Sequence, residues 1–151
     1  MNQPPERGVR MITVGDFMTR ELVTVKEEDD LALAESILRL GGIRHLPVVH
    51  EGKLVGLVTQ RDLLRSAAVH AHKSTRAGDI MVRDVTAVRP DTSLVEAAKI
   101  MLARKFGCLP VTEEGGRLMG IITESDFVRF AADVVQDLDM VAEAVGTGTR
   151  A

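Results

Sequence analysis

Gly56-Leu57-Val58-Thr59-Gln60-Arg61-Asp62 and Gly120-Ile121-Ile122-Thr123-Glu124-Ser125-Asp126 share one pattern: glycine, two apolar residues, threonine, two variable positions, aspartate. The match extends upstream. Leu46-Pro47-Val48 returns 63 positions later as Leu109-Pro110-Val111, and Gly15-Asp16-Phe17-Met18 returns as Gly78-Asp79-Ile80-Met81. Val25, Ala34 and Ile37 meet Val88, Ala97 and Ile100 at the same offset. One inserted residue near Gly115 shifts the register to 64, and Arg65 then meets Arg129. A register kept over this distance is an internal duplication, the feature to seek before any other.

Each copy reads as strand, helix, strand, strand, helix. Leu22 to Val25 and Val85 to Val88 are short β-branched runs. Leu31, Ala34, Ile37 and Leu38, and in the second copy Leu94, Ala97, Ile100 and Met101, have helical spacing. Asp30 is the expected N-cap of the first helix and Gly41-Gly42 its stop. Ser93 and Glu96 have the spacing of a capping box for the second, with Thr92 competing as cap. His45 to Val49 and Leu54 to Thr59 flank Glu51-Gly52 as a hairpin, and Cys108 to Thr112 and Leu118 to Thr123 repeat it. The fold class is α/β of the α+β type, with two βαββα repeats. One copy of about 55 residues buries only ~60% of its unfolded surface. The two are therefore expected to pack sheet against sheet as an intramolecular pseudo-dimer with a cleft between them. The organisation reads as a flexible tail (1–12), repeat one (13–69), a polar linker (70–76), repeat two (77–132) and a helical extension (133–151).

Composition narrows the function. The chain of 151 residues is 45% hydrophobic and 27% charged, with a net charge of −3, values of a soluble globular protein. Four Phe and no Trp or Tyr leave no aromatic platform for single-stranded nucleic acid, and no basic stripe suits DNA. The single cysteine, Cys108, fits a reducing compartment. Met1 to Arg10 lacks the apolar core of a signal peptide, and no apolar run reaches the ~18 residues of a membrane span. A cytoplasmic location is expected.

Thr59 with Asp62, and Thr123 with Asp126, have a plain structural reading as helix-capping pairs, each worth about 1 kcal/mol. The functional reading adds a ligand to that geometry. A helix start facing a cleft offers free N–H groups and a positive dipole to a phosphate. An aspartate beside it can accept from both hydroxyls of a ribose, as acidic residues do in dinucleotide folds.

The duplicated Gly-x-x-Thr-x-x-Asp motif, the Leu-Pro-Val strands and the Gly-Asp-(Phe/Ile)-Met openings resemble the CBS domain family over about residues 13 to 132. The resemblance implies a stand-alone CBS pair without catalytic activity, which holds an adenine nucleotide (AMP, ADP or ATP) between its repeats, dimerises and signals to an effector protein. By the same resemblance, the site built on Gly120, Thr123, Ser125 and Asp126, joined by Thr24, Arg44 and His45, is expected to hold phosphate more strongly. Gly56, Thr59, Arg61 and Asp62 form its mate, where the counterparts of Arg44 and His45 are the uncharged Gly107 and Cys108. Arg44 is the favoured phosphate ligand because guanidinium is always charged and bidentate.

Two other readings stay open: a ligand-free dimerisation scaffold, and a sensor of S-adenosylmethionine, which has no phosphate. No cofactor is required by any of them. His70-Ala71-His72 has no carboxylate or cysteine cluster beside it, so no metal site is expected. No nucleophile elbow or Gly-rich phosphate loop occurs. Asp133 to Val145 is acidic and amphipathic and extends the last helix; its apolar side needs a cover from the same chain or a second copy.

Overall fold

The structure, a computed structural model, describes residues 10–69 and 75–146. The expected tail through residue 9, linker residues 70–74 with His70 and His72, and residues 147–151 lie outside the described residues. In repeat one, α1 (Val14–Phe17) is followed by α2 (Leu31–Gly41), β1 (His45–His50), β2 (Lys53–Thr59) and α3 (Gln60–Val69). Repeat two has α4 (Ala77–Ile80), α5 (Leu94–Arg104), β3 (Cys108–Thr112), β4 (Leu118–Thr123) and α6 (Glu124–Gly146).

Both hairpins are antiparallel, with His45 opposite Thr59 and Cys108 opposite Thr123. A register irregularity follows Val48 in one and Val111 in the other. Glu51 (φ 48°) and Gly52 (φ 78°) make the two-residue turn, the positive-φ pair that matches the twist of the flanking strands. In repeat two the inserted residue is absorbed by a 3-10 turn at Glu114–Gly116.

The opening strands are shorter than the sequence suggests. Leu22 to Val25 and Val85 to Val88 each reduce to one parallel bridge, Val25 to Val48 and Val88 to Val111. The preceding residues peel away from the sheet, and those of repeat two line the cavity described below.

The repeats are joined by exchange. Val14 and Met18 of repeat one belong to the core of repeat two, with Val88, Leu94, Ala97, Met101, Leu109, Val111 and Ile122. Ala77 and Met81 of repeat two complete the core of repeat one, with Val25, Ala34, Leu38, Leu46, Val48 and Val58. No buried residue is common to the two clusters. The halves therefore form the expected pseudo-dimer, and they lock by swapping opening turns, which the sequence reading does not specify. Burying a Val or Met side chain is worth about 1.5–3 kcal/mol, so Val14 and Met18 together contribute on the order of 3–6 kcal/mol as an upper estimate.

The Gly-Asp-(Phe/Ile)-Met openings make this docking possible. The Thr13 amide donates to Asp16 Oδ2 (2.9 Å) and the Arg76 amide to Asp79 Oδ2 (2.8 Å), closing the two short turns. Val14 N donates to Thr92 O, and Ala77 N to Asp29 O. In return Leu94 N donates to Ile12 O, and Leu31 N to Thr75 O. The chain of the opposite repeat thus satisfies the first amide of α5 and α2, one of the four left open at any helix start. Asp30 and Ser93 are the N-caps, but neither makes a side-chain cap bond. The expected Ser93–Glu96 box does not form; the Thr92 hydroxyl instead accepts from the Arg89 amide. Gly42 ends α2 in the left-handed region at φ 61°.

Candidate functional site

Each Thr–Asp pair stands where the second strand of a hairpin becomes a helix. In repeat one the capping box is complete. The Thr59 amide donates to Asp62 Oδ2 (2.9 Å), the Asp62 amide donates to Thr59 Oγ1 (3.2 Å), and the Thr59 hydroxyl donates to Asp62 Oδ2 (2.7 Å). Asp62 Oδ1 has no hydrogen bond among the described residues. In repeat two the Thr123 amide (2.9 Å) and hydroxyl (3.2 Å) donate to Asp126 Oδ2. Asp126 Oδ1 accepts from the Thr19 hydroxyl (3.3 Å) and from Arg129 Nη1 (3.2 Å). Asp126 is 3% exposed, whereas Asp62 is half-buried.

A cavity of about 720 Å³ opens at the Asp62 end, within the usual range for small-molecule sites. Thr59, Gln60, Arg61 and Asp62 form one wall. Val82, Asp84, Val85 and Thr86 of repeat two form another, and Lys105 to Cys108 with Glu124 close the far side. Leu57 and Pro110 supply apolar surface. Arg44, Arg61, Arg65 and Lys105 bring positive charge to this cavity, against the carboxylates of Asp62, Asp84 and Glu124. The start of α3 adds its positive dipole end.

The central seam is asymmetric. His45 and its counterpart Cys108 begin the two first strands of the hairpins. His45 Nε2 lies 2.9 Å from where a Cβ on Gly107 would stand, so only glycine there leaves room for the imidazole. Burial holds His45 below the ordinary imidazole value; Glu124 opposes that shift and Arg44 adds to it. His45 is therefore neutral at pH 7. Cys108 is buried, and its thiol is pushed up to about 12, which makes it a packing residue with no thiolate chemistry.

The structure gathers Thr59, Arg61, Asp62, Arg44 and His45 around one cavity. The family resemblance groups Arg44 and His45 with Asp126; both line the cavity at Asp62 instead. Gly56 is not part of the cavity lining and packs against Met81, and Gly120 lies against Met18 and Thr19. Ser125 is exposed, and Thr24 is half-buried, outside the cavity lining. Val82, Asp84, Val85, Thr86, Lys105 and Phe106 were not anticipated. Val82 to Thr86 reach the motif of repeat one because they follow the exchanged opening turn of repeat two, whereas Lys105 and Phe106 come from the end of α5 and the approach to β3.

No group of three or more His, Cys, Asp or Glu among the described residues can hold a metal ion. No helix is long and apolar enough to cross a membrane.

The fold and cavity define a duplicated β–α module with a small-molecule-sized opening between its halves. A profile of the CBS domain matches residues 14–69 and 77–133, and the chain belongs to the CBS domain family. It is 38% identical over 118 residues to a homoserine O-acetyltransferase of Methanococcoides burtonii, covering 78% of this chain but only 24% of that enzyme. Among solved structures it resembles AcuB from Vibrio cholerae (38% identity, TM-score 0.79, 87% of this chain and 98% of that one). It also resembles the CBS-pair protein CBSX2 of Arabidopsis thaliana, solved in complex with AMP (35%, TM-score 0.74, 81% and 97%). The CBS domain pair of protein MJ0100, solved with 5′-methylthioadenosine and S-adenosyl-L-methionine, is similar as well (28%, TM-score 0.75, 82% and 98%).

Proposed function

We propose that this chain is a regulatory module that binds an adenosine nucleotide in the Asp62 cavity and performs no chemistry. The observation that carries the reading is Asp62 Oδ1, without a hydrogen bond among the described residues, at a 720 Å³ cavity flanked by Arg44, Arg61, Arg65 and Lys105. Asp62 Oδ1 accepts from the ribose hydroxyls. The start of α3, Arg61 and Arg44 meet the phosphate. Leu57, Val85 and Pro110 take the adenine. AMP in CBSX2 and adenosyl ligands in MJ0100 support an adenosine moiety. Signalling follows if the ligand favours one arrangement of the exchanged repeats, which it does only through a difference in affinity. Output passes to a separate effector. A cytoplasmic homodimer fits the free Cys108 and the exposed apolar residues of α6, among them Val135, Leu138 and Val141.

A specific observation also favours a second reading. Asp84 and Glu124 face the same cavity, and these carboxylates suit the cationic sulfonium and ammonium of S-adenosylmethionine.

A thermal-shift series separates the readings. A ligand at about 100 times its Kd adds roughly 2.7 kcal/mol to the folded state, on the order of 5–11 °C for this size. AMP, ADP or ATP is expected to give that shift. A shift with S-adenosylmethionine alone selects the second reading. No shift with any of the four at millimolar concentration refutes both and leaves a scaffold.

A further inference from the structure

We propose that Thr19 and Val82 decide which of the two Asp sites takes a ligand: Thr19 locks Asp126 into the fold, and Val82 leaves Asp62 open, giving one ligand per chain. The ligand half of this inference rests on the adenosine reading above; the lock does not.

Thr19 and Val82 occupy the same position of the duplicated sequence and make the same backbone pairing. Thr19 pairs antiparallel with Ile121, and Val82 with Leu57. Only their side chains differ, a hydroxyl against a methyl group. A carboxylate offers about four acceptor positions, and at Asp126 four are taken, by the Thr123 amide and hydroxyl, the Thr19 hydroxyl and Arg129. Ribose hydroxyls arriving there would have to displace partners from a carboxylate that is almost fully covered. At Asp62, Val82 has nothing to donate, and Arg65, the counterpart of Arg129, makes no ion pair with Asp62 among the described residues. Its Oδ1 stays available at the cavity wall.

The lock also spans the molecule. It ties residue 19 in the opening segment of repeat one to the first turn of α6 in repeat two. The more buried of the two aspartates thus acts as a fastener between repeats, and the half-buried one as the receptor.

Isothermal titration with AMP tests the ligand half. Wild type is expected to bind one AMP per chain. Val82→Thr is expected to weaken AMP binding by about 5-fold, the worth of one hydrogen bond placed on Asp62 Oδ1. Thr19→Val combined with Arg129→Ala is expected to raise the stoichiometry to two. A double-mutant cycle of Thr19→Val and Asp126→Asn, read by urea unfolding midpoints, tests the lock without ligand. Non-additive shifts are expected there, and additive ones for Val82→Thr with Asp126→Asn. Two AMP sites in wild type, or additive Thr19 and Asp126 effects, overturns the inference. Absence of AMP binding with non-additive Thr19–Asp126 effects removes the adenosine reading and keeps the lock.

Discussion

Exchange of opening turns predicts that two glycines of the duplicated motif respond unequally to the same small change. A Cβ built on Gly120 would stand 2.8 Å from Thr19 O and 2.8 Å from Met18 Sδ. A Cβ on Gly56 would stand 2.4 Å from Met81 Sδ and 2.8 Å from its Cγ, but 3.1 Å from the nearest backbone atom, Val82 O. A methionine side chain can rotate away, whereas a backbone carbonyl in a paired bridge cannot. Overpacking typically costs 1–3 kcal/mol, offset by about 0.4–1 kcal/mol from the restricted unfolded chain. Gly120→Ala belongs near the top of that range, a net ~2 kcal/mol, and Gly56→Ala near the bottom, below ~1 kcal/mol. At roughly 2–4 °C per kcal/mol for this size, Gly120→Ala should lower Tm by about 4–8 °C and Gly56→Ala by no more than about 4 °C. Gly41→Ala is the control. It sits at the end of α2 with its nearest contact at 3.7 Å, and alanine there should raise Tm slightly. Thermal unfolding followed by circular dichroism at fixed protein concentration gives the ranking. A neutral or stabilising Gly120→Ala would mean that Met18 and Thr19 do not lie on β4, and the exchanged arrangement would be refuted.

Two further predictions concern the central seam. Burial lowers the His45 pKa from 6.5, so below that value the unfolded chain takes up the proton first, and stability should decline as pH falls from 7 to 5. Urea midpoints at pH 7.5, 6.5 and 5.5 should fall for wild type and fall less for His45→Gln; equal slopes would contradict the assignment. Cys108, buried and with its thiol pushed up to about 12, should resist a thiol reagent at pH 8 in the native chain and react fully in denaturant. Rapid native labelling would place it outside the core.

Much of the fold is legible in the sequence. The duplication fixes two copies, the helical spacing of Leu31 to Leu38 and Leu94 to Met101 fixes α2 and α5, and Glu51-Gly52 fixes the hairpin. What cannot be read locally is the partner of each opening turn. Val14 and Met18 have the same apolar pattern whether they pack on their own repeat or on the other, because the duplicated repeats offer sockets of the same apolar pattern. The single bridges at Val25 and Val88 follow too, because the residues before Val88 leave the sheet to line the cavity. In the site, the Thr–Asp caps and Arg44 are visible as residue types, while Asp84 and Thr86 become relevant only through exchange, and Lys105 only through the packing of one repeat on the other. The difference between Asp62 and Asp126 turns on Thr19 and Arg129, both outside either motif.

A crystal structure of the chain grown with AMP tests the central claim most directly. Nucleotide density between the repeats, with ribose oxygens at hydrogen-bonding distance, roughly 2.5–3.0 Å, from Asp62 and phosphate at the start of α3, is the predicted result. Ribose bound to Asp126, nucleotide seated away from both Thr–Asp pairs, or an empty Asp62 cavity at saturating AMP would contradict it.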